Sequence, residues 1–81
     1  MSLDGYQIVH LPNAAVPNGQ IRSVRCPAGK KVVGGGVNLQ GNRPSVVDSN
    51  PFSDGSGWSG SGRQDGFDTI GVSVTAICVN P

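Results

Sequence analysis

The chain contains no glutamate, a single histidine, two cysteines, and only one Trp, one Tyr and two Phe. Each shortage excludes something. His10, Cys26 and Cys78 offer too few soft ligands for a zinc site. So few aromatics cannot build an aromatic-rich core. Five acids, all aspartate, stand against six Lys and Arg, for a net charge of +1. That balance gives no general drive toward nucleic acid or an anionic membrane. No apolar run approaches the roughly 20 residues of a membrane-spanning helix, so membrane insertion is not expected. No stretch of about a dozen residues free of Gly and Pro carries helical periodicity.

What remains is small and rich in turns. Eighty-one residues allow one domain, and thirteen glycines and six prolines punctuate it. Its apolar residues are nearly all Val, Ile, Leu and Ala. A chain of this size buries a limited share of its surface and gains from a staple or a partner subunit. No leader is recognisable. Met1-Ser2-Leu3 reads as residues added for expression, with a native leader or a whole upstream region removed, and 4–81 as one β domain.

Six strands are expected, bounded by Gly, Pro, Asn and Asp. Tyr6–Leu11 is the first, ended by Pro12-Asn13. Gln20–Cys26 follows, with Arg22 and Arg25 on its more exposed parts, so that the basic run Arg22 to Lys31 reads as a solvated strand face. Pro27-Ala28-Gly29 turns the chain into Lys30–Leu39, making a hairpin. Ser45–Asn50 and Trp58–Arg63 come next, the latter anchored by its tryptophan. In Thr69–Cys78, the clearest strand, Ile70, Val72, Val74, Ala76 and Cys78 share one face. Turn signals every ten or so residues predict an all-β antiparallel sandwich or small barrel-like fold.

Two cysteines in a core-poor chain, each ending a strand-like run, favour a Cys26–Cys78 disulfide and an oxidising compartment over two buried free thiols. The run CPAGKKVVGGG, residues 26–36, is not a phosphate loop: it lacks the upstream glycine and the Ser or Thr after lysine, and β-branched valines follow. Val33, Gly35, Val37 and Leu39 continue one strand face. Glycines inside a strand mark a bulge or a close approach. Gly34, Gly35 and Gly36 are therefore expected to make room for a bulky neighbour, Trp58 above all.

Catalytic chemistry is thinly represented. His10 reads as a partly buried strand residue. No Gly-x-Ser-x-Gly turn is present, and most aspartates sit in turns, where Asp is common for local reasons. Asp54-Gly55-Ser56-Gly57 and Asp65-Gly66-Phe67-Asp68 read as turns rather than calcium loops. No cofactor and no enzymatic activity are expected. Trp58, Tyr6 and Phe52 with Arg63 form a candidate glycan-binding surface, weighed against Trp58 packing on the glycine strand.

Gly5-Tyr6-Gln7-Ile8-Val9, Ser23-Val24-Arg25-Cys26-Pro27-Ala28-Gly29-Lys30-Lys31-Val32-Val33-Gly34-Gly35-Gly36, Ser49-Asn50-Pro51, Gly57-Trp58 and Val74-Thr75-Ala76-Ile77-Cys78 occur in that order. Across nearly its whole length the chain resembles a family of small bacterial exported β domains. Its hallmarks are the Cys-Pro-Ala-Gly-Lys turn, a glycine triplet, Gly-Trp and a closing Ala-Ile-Cys. The resemblance implies a Cys26–Cys78 bridge, an extracellular or cell-surface location, and a structural or binding role without catalytic residues. Some relatives follow collagen-like tracts, which implies a homo-oligomeric, trimer-forming head. The expected function is thus a self-associating interaction module, with glycan binding centred on Trp58 as the alternative.

Overall fold

The computed structural model describes residues 4–81, so the reading of Met1–Leu3 lies outside the described residues. The described chain is all β, in six strands: β1 (Gln7–Pro17), β2 (Arg22–Arg25), β3 (Lys31–Gln40), β4 (Ser45–Pro51), β5 (Gly57–Arg63) and β6 (Thr69–Val79). They form two antiparallel three-stranded sheets, ordered β1-β6-β3 and β2-β5-β4. The chain crosses between sheets at every connection except the β4–β5 hairpin.

The core is centred on one strand. Ile70, Val72, Val74, Ala76 and Cys78 of β6 are wholly inaccessible. This is the face that the alternation of the sequence defines. Leu11 and Val16 of β1, Val37 and Leu39 of β3, and Val24 and Trp58 from the second sheet close around Ile70, Val72 and Val74. Cys26, just after β2, is disulfide-bonded to Cys78 of β6, 52 residues on. The bond joins the two sheets, and closing so long a loop contributes about 4 kcal/mol on the chain-entropy account.

Three sequence expectations need correction. Pro27–Lys30 is a turn, with Lys30 N–H donating to Pro27 O at 3.0 Å and Gly29 at φ +82°. It does not make a hairpin, because β2 pairs with β5 while β3 pairs with β6. Pro12-Asn13 does not end β1 but forms a bulge, after which pairing with β6 resumes at Ala14. Val33 likewise bulges out of β3 and is exposed, so the inward face of that strand runs from Val32, opposite Cys78, past the bulge to Gly35.

The fourth correction concerns Arg22, which is half-buried between the sheets rather than solvated. Val24 must face the core, and period-2 alternation turns Arg22 the same way. The β1 bulge gives it a task. Its Nη1 donates to Pro12 O and Val72 O, both at 2.6 Å, carbonyls that flank the interruption in the ladder.

Every sheet edge is blunted. β1, β3 and β4 each carry a bulge, at Pro12-Asn13, Val33 and Val47, and β2 is only four residues long. Bulges and short strands deny a second chain a flat edge to pair with.

Candidate interaction face

Small and large residues alternate reciprocally across the interior. Facing inward along β3 are Gly35, Val37 and Leu39; facing inward along β5 are Trp58, Gly60 and Gly62. A Cβ on Gly35 would stand 2.5 Å from Trp58 Cδ2, one on Gly60 would collide with Val37, and one on Gly62 would lie 2.6 Å from the Leu39 methyls. Each bulky side chain occupies the room the opposite glycine leaves. Trp58 also donates its indole N–H to Ser49 Oγ at 3.1 Å.

The four residues read as a glycan surface are not gathered into one. Trp58 faces between the sheets. Arg63 lies five residues along the same strand, on the opposite face and roughly 16 Å away at strand rise. Phe52 lies beneath the Arg25 guanidinium, 4.9 Å from it, at the β4–β5 hairpin. Tyr6 is exposed ahead of β1 on the first sheet.

The glycine triplet divides in two. Gly35 alone meets Trp58. Above Gly36 nothing lies within 4 Å, and Gly34 has only Ile77 Cδ1 at 3.7 Å. Neither has a positive φ. Both belong to the outward face of the β1-β6-β3 sheet, where the pairing sets out four rows between the Lys31–Val79 pair at the disulfide end and the Pro17–Thr69 pair at the other. These are Ile8–Ile77–Gly34, His10–Thr75–Gly36, the Pro12-Asn13 bulge beside Ser73–Asn38, and Ala15–Gly71–Gln40. None of these residues is Asp, Lys or Arg. Ile8 is 56% exposed. A low trough at the glycines therefore runs beside an apolar ridge of Ile8 and Ile77. The outward face of the other sheet is polar by contrast, with Ser23, Arg25, Asp48, Asn50, Ser59 and Arg63.

His10 stands exposed on the uncharged face instead of partly buried, because its partner across the ladder, Thr75, also points outward. His10 Nδ1 and Thr75 Oγ1 share a hydrogen bond of 2.9 Å. The third position of that row is Gly36, so no carboxylate completes a relay. Among the described residues no three His, Cys or Asp side chains cluster as a metal site would require.

The two poles are tied differently. At one, Asn18 Nδ2 donates to Phe67 O at 2.8 Å, and Gln64 links the other loops by accepting from Asn42 N–H at 2.6 Å and donating to Thr69 O at 2.5 Å. At the other lie the disulfide and the Asp54 turn. Asp54 accepts from the Ser56 hydroxyl at 2.6 Å and the Ser56 N–H at 3.0 Å. Those bonds, helped by Lys31 and Arg25, hold its carboxyl below the ordinary carboxylate value.

Sequence reasoning missed the outward face because Ile8 and Ile77 lie far apart in the chain and meet only through the β1–β6 register. The one signal available was Ile77, an apolar residue on the otherwise polar side of its strand. Compared with protein-family models, with curated proteins and with solved structures, the chain finds no significant match.

Proposed function

We propose that this protein is a non-enzymatic, extracellular or cell-surface interaction module that self-associates through the outward face of the β1-β6-β3 sheet. The observation that carries the reading is the bare backbone at Gly34 and Gly36 beside the exposed Ile8. Glycine in a strand costs roughly 0.5–1 kcal/mol relative to alanine, and neither packing nor φ inside the chain requires it at these two positions. A surface approaching from outside would.

The best-matched occupant is a second copy of the same chain. The four central rows carry no charge, and Lys31 at the end of the face is turned to Asp54 O, so the face meets its own copy with little repulsion, and a ridge beside a trough is self-complementary under two-fold or cyclic symmetry. The blunted edges leave faces as the route to association. A core centred on one strand gains from further burial. The Cys26–Cys78 bond supports an oxidising location. The family resemblance favours three copies. Trp58 has Gly35 packed against its ring and Ser49 on its N–H, which weighs against a glycan site centred there.

Light scattering and sedimentation across the micromolar range test the reading. The wild type is expected to form an oligomer that Ile8→Lys and Gly36→Arg reduce to monomers with unchanged circular dichroism. A wild type that stays monomeric at high micromolar concentration overturns it.

A further inference from the structure

A groove of about 310 Å³ opens at the amide-tied pole, lined by Asn18, Gly19, Val47 and Arg63. It lies beside the polar sheet, away from the uncharged face, and is independent of self-association.

Its walls are held in place. Asn18 N–H donates to Asp68 O at 2.8 Å and Gly19 N–H to Gly62 O at 2.9 Å. The Asn18 side chain donates to Phe67 O and accepts from Gln64 N–H at 3.3 Å. Val47, the bulged residue of β4, also lines the groove and is 57% exposed. Bulges commonly re-aim a side chain beside a functional site. Arg63, at the end of β5, is exposed, and among the described residues no carboxylate or carbonyl accepts a hydrogen bond from it.

We propose that this groove binds a carboxylate carried on a small saccharide, a sugar acid. The guanidinium fork matches a carboxylate with two parallel hydrogen bonds. The C–H face of a sugar ring suits the methyls of Val47. One lining cation beside an apolar wall fits a monoanion with an apolar side, whereas a phosphate chain or nucleic acid calls for several cations. The volume stands at the low end for ligand pockets, which run from about 300 Å³, and is enough for one or two sugar rings.

The test is an amide-resolved NMR titration of the wild type, Arg63→Gln and Val47→Ser with galacturonate, galactose and acetate. Thermal melts check the fold of both variants, and unchanged midpoints are expected for these exposed substitutions. Saturable shifts at Asn18, Gly19, Val47 and Arg63 are expected with galacturonate. Galactose should bind the wild type, and galacturonate the Arg63→Gln variant, at least about tenfold more weakly, the value of one or more lost charge-assisted hydrogen bonds. Val47→Ser should weaken galacturonate but not acetate. Absence of saturable shifts with galacturonate overturns the proposal. So does galactose binding equally well, or acetate matching galacturonate, which would make the groove a simple anion site.

Discussion

Trp58 stands where a side chain on Gly35 would have to be. A Cβ there would lie 2.5 Å from the indole and 2.7 Å from the Thr75 carbonyl oxygen, a main-chain atom that cannot swing aside. Gly35→Ala is therefore expected to destabilise the fold by about 1–3 kcal/mol, as overpacking does. Gly36→Ala next to it meets open space and should stabilise the monomer by up to about 1 kcal/mol. Urea denaturation with both variants checks the pair. Equal losses at the two positions would contradict the packing described.

Val37 and Gly60 form a second such couple, with a Cβ at Gly60 colliding with the Val37 methyl. Gly60→Ala and Val37→Ala should each cost stability. In the double variant the new methyl enters space that valine vacated, so the combined loss should fall short of the sum by about 1 kcal/mol or more. Strict additivity in a double-mutant cycle would show that the residues do not share this space.

Arg22 satisfies the carbonyl of Pro12 in the β1 bulge and that of Val72 on the facing strand β6. Replacing it with methionine keeps much of the stem but removes two charge-assisted donors. The expected loss is about 2–3 kcal/mol in chemical denaturation. Arg22→Lys, with a compact ammonium in place of the fork, should recover only part of it. A neutral Arg22→Met would show that water serves those carbonyls equally well.

Asp54 links the hairpin at the disulfide pole to pH. Its folded carboxyl is lowered, first by the Ser56 hydroxyl, then by the Ser56 N–H. The stabilisation is thus fully present above the unfolded carboxylate value and is lost as pH falls through the lower folded one. In a carbon-13 NMR titration, Ser56→Ala should raise the Asp54 midpoint. An unchanged midpoint would remove the hydroxyl as the main cause.

The strands and the core face of β6 were readable because alternation needs only local sequence. The disulfide was readable because two cysteines have one pairing. Pairing partners were not: the turn at Pro27–Lys30 looks the same whether the strands on either side join one sheet or two. Ile21-Arg22-Ser23-Val24 was ambiguous, since Ile21 and Val24 are three apart and cannot share a face. Choosing Val24 for the core puts an arginine inside, sensible only once the Pro12-Asn13 bulge is known. Gly60 and Gly62 were unreadable for another reason. Their smallness has meaning only opposite Val37 and Leu39.

The position of β6 in the chain also sets a schedule. In the first sheet, β1 and β3 flank β6 and make no ladder with each other. Both must therefore wait, unpaired, until the last strand has been synthesised, and the cysteine that locks the sheets together arrives with it. Such non-local pairing slows folding. It also means that the Cys26–Cys78 bond cannot close before β6 is present, so the covalent tie between the sheets follows the pairing partners it secures rather than preceding them.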